Sequence, residues 1–290
     1  MKILVTGVTG FLGRYLLKFM PQGHLCIAHS RTKLALPSNT NSLYSDMTND
    51  HFIEKVAAVQ PEMIIHNAAM ANVDTCERDR RSAFRVNTQT TRRLAQYAGE
   101  NDIRFVFISS DQVFDGRHGL YVERDTPHPV NYYGETKLAG EQAVREMTEN
   151  HVIIRGALFY GKSLGGRISF TEHLFRQLTA GRTVNVFDDQ YRSPVLVDDL
   201  ARLVWKMALT SLTGIFHLGG PDRLSRLEMG EILCRELGLD ADLLNPVKTE
   251  SVNLAATRGL DCSVDSSKII QQLNEKICCF AEGLKLSFPS

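Results

Sequence analysis

Thr6-Gly7-Val8-Thr9-Gly10-Phe11-Leu12-Gly13 is the stretch on which the fold turns. It follows the run Lys2–Thr6, whose Ile3-Leu4-Val5 centre reads as a buried strand. It leads into Phe11–Met20, where apolar residues recur at helical spacing. The glycines are spaced G-x-x-G-x-x-G. Gly7 permits a tight turn, Gly10 lets the backbone approach a pyrophosphate, and Gly13 lets the helix pack close to the strand. A helix starting there points unpaired N–H groups and the positive end of its dipole at phosphate oxygens. Thr9, Phe11 and Leu12 are the other residues of that loop expected against a bound dinucleotide. The position of the loop, between a strand and a helix at the start of the sequence, is what makes the motif informative.

The second strand, His24–His29, ends in His29-Ser30-Arg31. Sites that prefer NAD place a carboxylate about 20 residues beyond the glycines, where it holds the ribose hydroxyls. Here Ser30 and Arg31 take that place, and a guanidinium grips a 2′-phosphate while stacking on adenine. The expected cofactor is therefore NADP(H) rather than NAD(H). Asp46-Met47 after a short apolar patch, and Asn67-Ala68-Ala69 after the strand Met63–His66, are further expected cofactor neighbours. The small alanines leave room beside the cofactor, and Asn67 can brace the loop.

Outward from this motif, short apolar runs alternate with amphipathic ones. Helices are predicted over His51–Val59, Asp79–Asn101 and Asn131–Thr148, and strands over Ile103–Ser109 and His151–Arg155. Strands apolar on both faces, alternating with helices, form a parallel sheet covered on both sides. The expected fold class is therefore α/β, a Rossmann-type doubly wound parallel sheet with a small C-terminal α/β substrate lobe. Beyond residue 155 the rhythm weakens. Helices are predicted at Glu172–Ala180, Asp199–Leu209 and Arg226–Leu237, and strands at Thr183–Phe187 and Ile215–Leu218. The boundaries drawn are 1–155 for the NADP-binding domain, with 190–210 returning to it, and 156–189 with 211–290 for the substrate lobe.

Composition excludes other classes. The chain has 290 residues, 33 Lys+Arg against 33 Asp+Glu, 43% hydrophobic residues and 23% charged ones. That is ordinary globular usage with no global pull toward nucleic acid or anionic membrane. Neither partner is expected. The six cysteines show no C-x-x-C spacing, and the nine histidines form no metal pair, so the reading is reduced thiols and no metal site. The first residues lack the apolar core of a signal peptide, and no run approaches the about 20 residues of a membrane span. A cytoplasmic protein is expected. Asp198-Asp199 reads as first-turn charge on a helix, and His66 as a core histidine.

Tyr133-Gly134-Glu135-Thr136-Lys137 places a phenol and an ammonium at i and i+4, on one helical face. An ammonium about 5 Å away, at an effective dielectric near 20, is worth on the order of 3 kcal/mol, or roughly two pKa units. The expectation is a phenol whose pKa is lowered enough for acid–base work near neutrality. Ser109-Ser110 ends the preceding strand, where doubly wound sheets hold their ligands. Ser110 can donate a hydrogen bond to a carbonyl and to the alkoxide that forms from it.

Together, Gly7/Gly10/Gly13, Asn67-Ala68-Ala69, Val86-Asn87, Ser109-Ser110, Val113-Phe114-Asp115-Gly116 and Tyr133…Lys137 resemble the extended branch of the short-chain dehydrogenase/reductase superfamily. Within it, Tyr133–Glu141, Asp189-Gln190-Tyr191, Arg192-Ser193-Pro194 and Asp265-Ser266-Ser267-Lys268 are similar to the dTDP-4-dehydrorhamnose reductase group. The resemblance implies Ser110, Tyr133 and Lys137 as the catalytic residues, hydride transfer from NADPH to the C4 ketone of a nucleotide sugar, and a proton from Tyr133. It also implies Lys137 at the nicotinamide ribose, Asn87 near the cofactor, and in many relatives a homodimer.

Two positions depart from that pattern. Leu158 stands where the sugar reductases carry an aromatic, and Ile168-Ser169 where they carry an asparagine pair. The group also includes a regulatory relative, the β subunit of methionine adenosyltransferase, which binds NADP, modulates a partner enzyme and lacks the aromatic. A regulatory NADP-binding role is therefore the alternative to reduction, with epimerase chemistry a further one. Asp111-Gln112 argues against dehydration, which needs a second carboxylate where Gln112 stands. Asp111, Gln112, Leu158, Arg192 and Arg258 are the expected substrate contacts, the two arginines facing a diphosphate. Asp74, Cys76 and Glu77 are weaker candidates for the pocket border.

Overall fold

Ile3, Leu4 and Val5 are all inaccessible to solvent, although neighbouring residues of a strand point to opposite faces. The sheet they belong to must therefore be covered on both sides. The computed structural model describes residues 1–33, 36 and 40–288. Its strands β1 (Lys2–Thr6), β2 (Leu25–Ser30), β3 (Thr40–Tyr44), β4 (Met63–His66), β5 (Arg104–Ser110) and β6 (His151–Gly156) form the body of one sheet. The chain then runs through the short β7 (Phe159–Tyr160), β8 (Val184–Phe187), β9 (Tyr191–Arg192) and β10 (Val195–Leu196) before β11 (Gly214–Leu218) returns to the sheet edge. The seven-stranded order is β11-β6-β5-β4-β1-β2-β3, every pairing parallel. This is the doubly wound α/β architecture expected. The order reverses between β1 and β4, and the glycine loop leaves β1 at that reversal.

The helices are α1 (Phe11–Lys18), α2 (Phe52–Val59), α3 (Val73–Arg78), α4 (Arg80–Phe84), α5 (Thr90–Glu100), α6 (Tyr132–Met147), α7 (Phe170–Thr179), α8 (Val197–Ala208), α9 (Arg226–Leu237), α10 (Ser267–Leu273) and α11 (Phe280–Ser287). One face of the sheet packs Ile3, Val5 and Val106 against Leu12 and Leu16 of α1 and Leu200, Val204 and Trp205 of α8. The Trp205 indole N–H donates to Leu16 O at 2.9 Å, so this large ring is buried with its polar atom satisfied. The other face packs Leu4, Ile64, Phe105 and Phe107 against Phe52, Leu94 and Val144. A third cluster, including Tyr160, Leu174, Met229, Leu233, Phe280 and Leu284, forms the core of the C-terminal lobe. That lobe adds β12 (Leu224–Ser225), paired with β9, and β13 (Leu244–Val247), paired with β8.

The single helix predicted over Asp79–Asn101 is divided. A π-helical turn at Arg85–Gln89 separates α4 from α5. Hydroxyl groups accompany the widened turn: Thr90 Oγ1 donates to Arg85 O at 3.0 Å and Thr91 Oγ1 to Asn87 O at 2.7 Å. Such bonds compete with the regular i to i−4 ladder. Strands β3 and β13 and helices α3, α10 and α11 fall where no element was predicted. Each is short or weakly periodic and is held by tertiary pairing. β11 lies within the 211–290 stretch assigned to the lobe and forms the edge of the main sheet, beside β6. Residues 289–290, the end of that stretch, lie outside the described residues. No helix among the described residues is long and apolar enough to cross a membrane.

Candidate active site

Thr6 ends β1, and its hydroxyl organises the loops above the sheet. Thr6 Oγ1 accepts from the N–H groups of Asn67 (3.1 Å) and Ala68 (3.0 Å) and lies 2.8 Å from His66 Nδ1. The Asn67 amide donates to Gly7 O at 3.3 Å, the bracing expected of it. Gly7 has φ of 71°, and a Cβ there would stand 2.7 Å from Ala68 Cα, so the two loops touch backbone to backbone. No side chain caps α1 at Gly10. Its first-turn amides remain available to an anion.

These loops border a cleft of about 1290 Å³. Such a volume exceeds the range of single-ligand pockets and suits two ligands end to end. Gly7, Thr9, Gly10, Phe11, Leu12, Ser30, Arg31, Asp46, Met47, Asn67, Ala68 and Ala69 line it, as do Ser109, Ser110, Tyr133 and Lys137. Two predicted cofactor neighbours do not. Gly13 faces the Gly7 carbonyl beneath the loop, where it serves helix packing. Asn87 is buried behind the cleft: its Oδ1 accepts from Met70 N at 2.8 Å, and its Nδ2 donates to Met70 O and Thr136 Oγ1. The π-turn points it at this loop.

At the end reached by Arg31, Asp46 is held below its usual pKa by hydrogen bonds from Thr48, with Arg31 and Arg85 adding positive charge. Arg85 also lines the cleft and was not anticipated. It starts the π-turn, so regular helical spacing hides its direction.

Ser110 closes β5 and Tyr133 opens α6. Asn131 caps that helix, accepting from Gly134 N at 2.9 Å. Gly134 is pressed against Gln112 O, where a Cβ would stand at 2.1 Å, and this brings the start of α6 down onto the end of β5. Ser110 Oγ donates to Asp111 Oδ1 at 3.0 Å. Lys137 is 1% exposed, its Nζ donates to Ile108 O at 2.7 Å, and it sits 4.1 Å from the Phe107 ring centroid. Ser110, Tyr133 and Lys137 thus meet at one wall of the cleft.

The electrostatics correct one expectation. Tyr133 is not made more acidic. Burial pushes its phenol above the usual value, the Asp111 charge adds to this, and the hydrogen bond with Ser110 opposes it. Burial also pushes Lys137 down to about 7. A lysine this deep suffers the desolvation that its neighbour suffers, so the surface-like dielectric assumed for the pair does not apply.

On the substrate side, Asp111, Gln112, Leu158, Arg192 and Arg258 all line the cleft. The two arginines are already engaged. Arg192 donates to the carbonyls of Tyr191, Leu260 and Gly259 and lies 3.7 Å from Asp111 Oδ2. Arg258 pairs with Asp74 at 2.7 Å. Among the described arginines that line the cleft, the one left with a buried unpartnered nitrogen, Nη1, is Arg226, which sequence reasoning missed. It opens α9 behind a capping box of Ser225 and Glu228, lies 4.7 Å over the Phe170 ring, and lines the cleft with Gln190, His173 and Arg167. Burial, together with the Arg192 charge, brings it down to about 9. Asp74, Cys76 and Glu77 are absent from the wall. Asp74 holds Arg258, the Cys76 thiol donates to Met70 O, and Glu77 accepts from Tyr132 N. His66 is a core histidine between Thr6 and Thr91. Among the described residues no group of three or more His, Cys, Asp or Glu could hold a metal ion.

Comparison with known proteins places this geometry. Residues 1–289 match the family described as RmlD substrate binding domain. The probable low-salt glycan biosynthesis reductase Agl14 of Haloferax volcanii is 29% identical over 279 residues, covering 94% of this chain and 92% of that protein. Methionine adenosyltransferase 2 subunit beta of Pongo abelii is 31% identical over 274 residues, covering 92% and 81%. Among solved structures, the dTDP-4-dehydrorhamnose reductase of Bacillus anthracis in complex with NADP superposes with a TM-score of 0.88 at 28% identity, covering 99% of this chain and 98% of that one. The reductase of Yersinia enterocolitica gives 0.87 at 28%, with the same coverage.

Proposed function

The chain belongs to the RmlD substrate binding domain family, and from that premise we propose that it is an NADPH-dependent reductase of a 4-keto-deoxy nucleotide sugar. The observation that carries the reading is the meeting of Ser110, Tyr133 and Lys137 on one wall of a cleft. One end of that cleft is the uncapped start of α1, and the other holds the guanidinium groups of Arg192, Arg226 and Arg258. The two ends offer anion sites on either side of a proton donor, as a dinucleotide and a diphosphate-bearing ketone require. Relatives named as reductases, one of them in complex with NADP, support it.

The residues present fit the cofactor. Gly7 and Gly10 leave the loop open to a pyrophosphate, and Arg31 and Arg85 stand where a 2′-phosphate needs cations. When bound, NADPH supplies the hydride that reduces the ketone carbon. Ser110 donates a hydrogen bond to the ketone oxygen and stabilises the charge that grows there. Tyr133 gives its proton to that oxygen, completing the alcohol. Its raised pKa suits this direction, because the phenol stays protonated at neutral pH until a stronger base, the nascent alkoxide, faces it. Lys137 fixes the wall through Ile108 O and presents its remaining donors to the nicotinamide ribose. Arg226 takes the substrate diphosphate. In this reading residues 1–155 with 190–210 hold NADPH. Residues 156–189 with 211–290, less the sheet strand β11, close over the substrate.

A second reading is favoured by Leu158, which lines the cleft at the place of the sugar-stacking aromatic, and by the 31% identity with an adenosyltransferase regulatory subunit. NADPH oxidation with a panel of 4-keto-deoxy nucleotide sugars separates the two. Turnover that disappears in Tyr133→Phe supports the reductase. Tight NADPH binding without oxidation by any ketone, together with a changed rate of a methionine adenosyltransferase, supports the regulator.

A further inference from the structure

Behind the catalytic wall lies an ion pair that the reaction as described does not use. Glu141 stands one helical turn beyond Lys137 and two beyond Tyr133 on α6. Its carboxylate accepts from Ser109 Oγ at 2.5 Å and from Arg155 on β6 at 2.8 Å through Nη2 and 3.0 Å through Nε. Glu141 and Arg155 are each 2% exposed. A buried ion pair of this kind is seldom a net source of stability over apolar side chains of similar volume, so its presence beside a reaction centre asks for another reason.

The surroundings of Lys137 supply one. Among the described residues no carboxylate lies within ion-pairing distance of its Nζ, whose contacts are the Ile108 carbonyl and the Phe107 ring. The titratable groups that face it from neighbouring elements are uncharged near neutrality. Burial raises Cys76 on α3 to about 11 and lowers His66 on β4 to about 3, and Tyr133 on α6 keeps its proton. Glu141 is the anion that remains near the ammonium, and it is the largest influence opposing the desolvation of Lys137. The same carboxylate fixes Ser109, the residue between Ile108, which holds Lys137, and Ser110, which faces the ketone oxygen.

We propose that Glu141 is a positioning residue: gripped by Arg155, it sets its negative charge one helical turn beyond Lys137 and locks the end of β5 so that Ser110 and Lys137 face the cleft together. The proposal rests on the role given above to Lys137. Its test does not, because it reads the lysine directly. The side-chain Cε of Lys137 is followed by NMR against pH in the full chain without NADPH, assigned by its loss in Lys137→Met, and NADPH affinity is titrated by fluorescence at each pH. Glu141→Gln is expected to move the Lys137 midpoint down by about one pH unit and the alkaline loss of NADPH affinity with it. That variant strands a buried guanidinium and can fail to fold. The second variant, Glu141→Gln with Arg155→Met, removes both charges and keeps the volume. It is expected to fold, to lower the Lys137 midpoint by less than the single change, because the opposing Arg155 charge is gone as well, and to lose kcat with KM little changed. A purely architectural pair would leave the Lys137 midpoint in the folded double variant at its wild-type value, and that result overturns the proposal. So does failure of both variants to fold. If the midpoint moves while no ketone is ever reduced, the proposal stands and the reductase reading falls.

Discussion

The carbonyl oxygen of Gly7 lies 2.2 Å from where a Cβ on Gly13 would stand. No real carbon approaches an oxygen so closely, so α1 docks on β1 only because residue 13 has no side chain. Gly13→Ala must push the helix start away from the loop. The expected cost is about 1–3 kcal/mol of stability, with loss of NADPH binding, read by thermal denaturation and fluorescence titration. Gly10→Ala meets only Gly7 O at 3.2 Å and is expected to impair NADPH binding with a smaller loss of stability. Equal stability losses in the two variants would contradict this division between packing and phosphate approach.

Arg31 is exposed at the mouth of the cleft, where its charge helps to hold the Asp46 carboxyl down. Arg31→Ala is expected to weaken NADPH by about 10- to 100-fold, the worth of one charge-assisted contact, and to leave NADH nearly unchanged. A parallel loss for both nucleotides would remove Arg31 from 2′-phosphate recognition and leave that role to Arg85.

Arg226 carries a buried nitrogen without a partner, and the Arg192 charge disfavours its own. Arg226→Met relieves both burdens. The variant is expected to be at least as stable as the parent, to bind NADPH normally, and to raise KM for a diphosphate-bearing ketone by about 10-fold or more. Unchanged KM would place the diphosphate elsewhere.

Three buried histidines set the response to acid. Burial lowers His29 to about 4, and His66 and His217 to about 3, from a usual 6.5. Below pH 6.5 the unfolded chain takes up protons that the folded chain refuses. Stability is therefore fully present above 6.5 and is lost as pH falls toward 4, by up to about 4 kcal/mol per pH unit if all three contribute fully. Urea unfolding at pH 7.5, 6 and 5 reads this directly, and a midpoint that does not move over that range would refute it.

Much of this site was legible because its signals are local. The glycine spacing, the Tyr133–Lys137 turn and the Ser109-Ser110 strand end each follow from residues within a few positions of one another. What escaped depends on tertiary placement. Arg226 reads locally as the first residue of a capped helix, and its role appears only where α9 meets Asp111 and Arg192. Arg85 and Asn87 are turned by a π-helical insertion that no hydrophobic period announces. Arg192, expected to meet a phosphate, is consumed by three carbonyls brought in from residues 191, 259 and 260. The direction of the Tyr133 shift was misjudged for a related reason: helical spacing reports the neighbour of a side chain but not the depth at which both are buried.

The last three residues of β5 perform separate tasks: the Ile108 carbonyl ties Lys137, the Ser109 hydroxyl ties Glu141, and Ser110 faces the cleft. A one-residue deletion or duplication anywhere along this strand would reassign all three jobs at once while leaving its hydrophobic content almost intact. In this chain the loops and the lobe can change without touching these three contacts, whereas the length of β5 cannot.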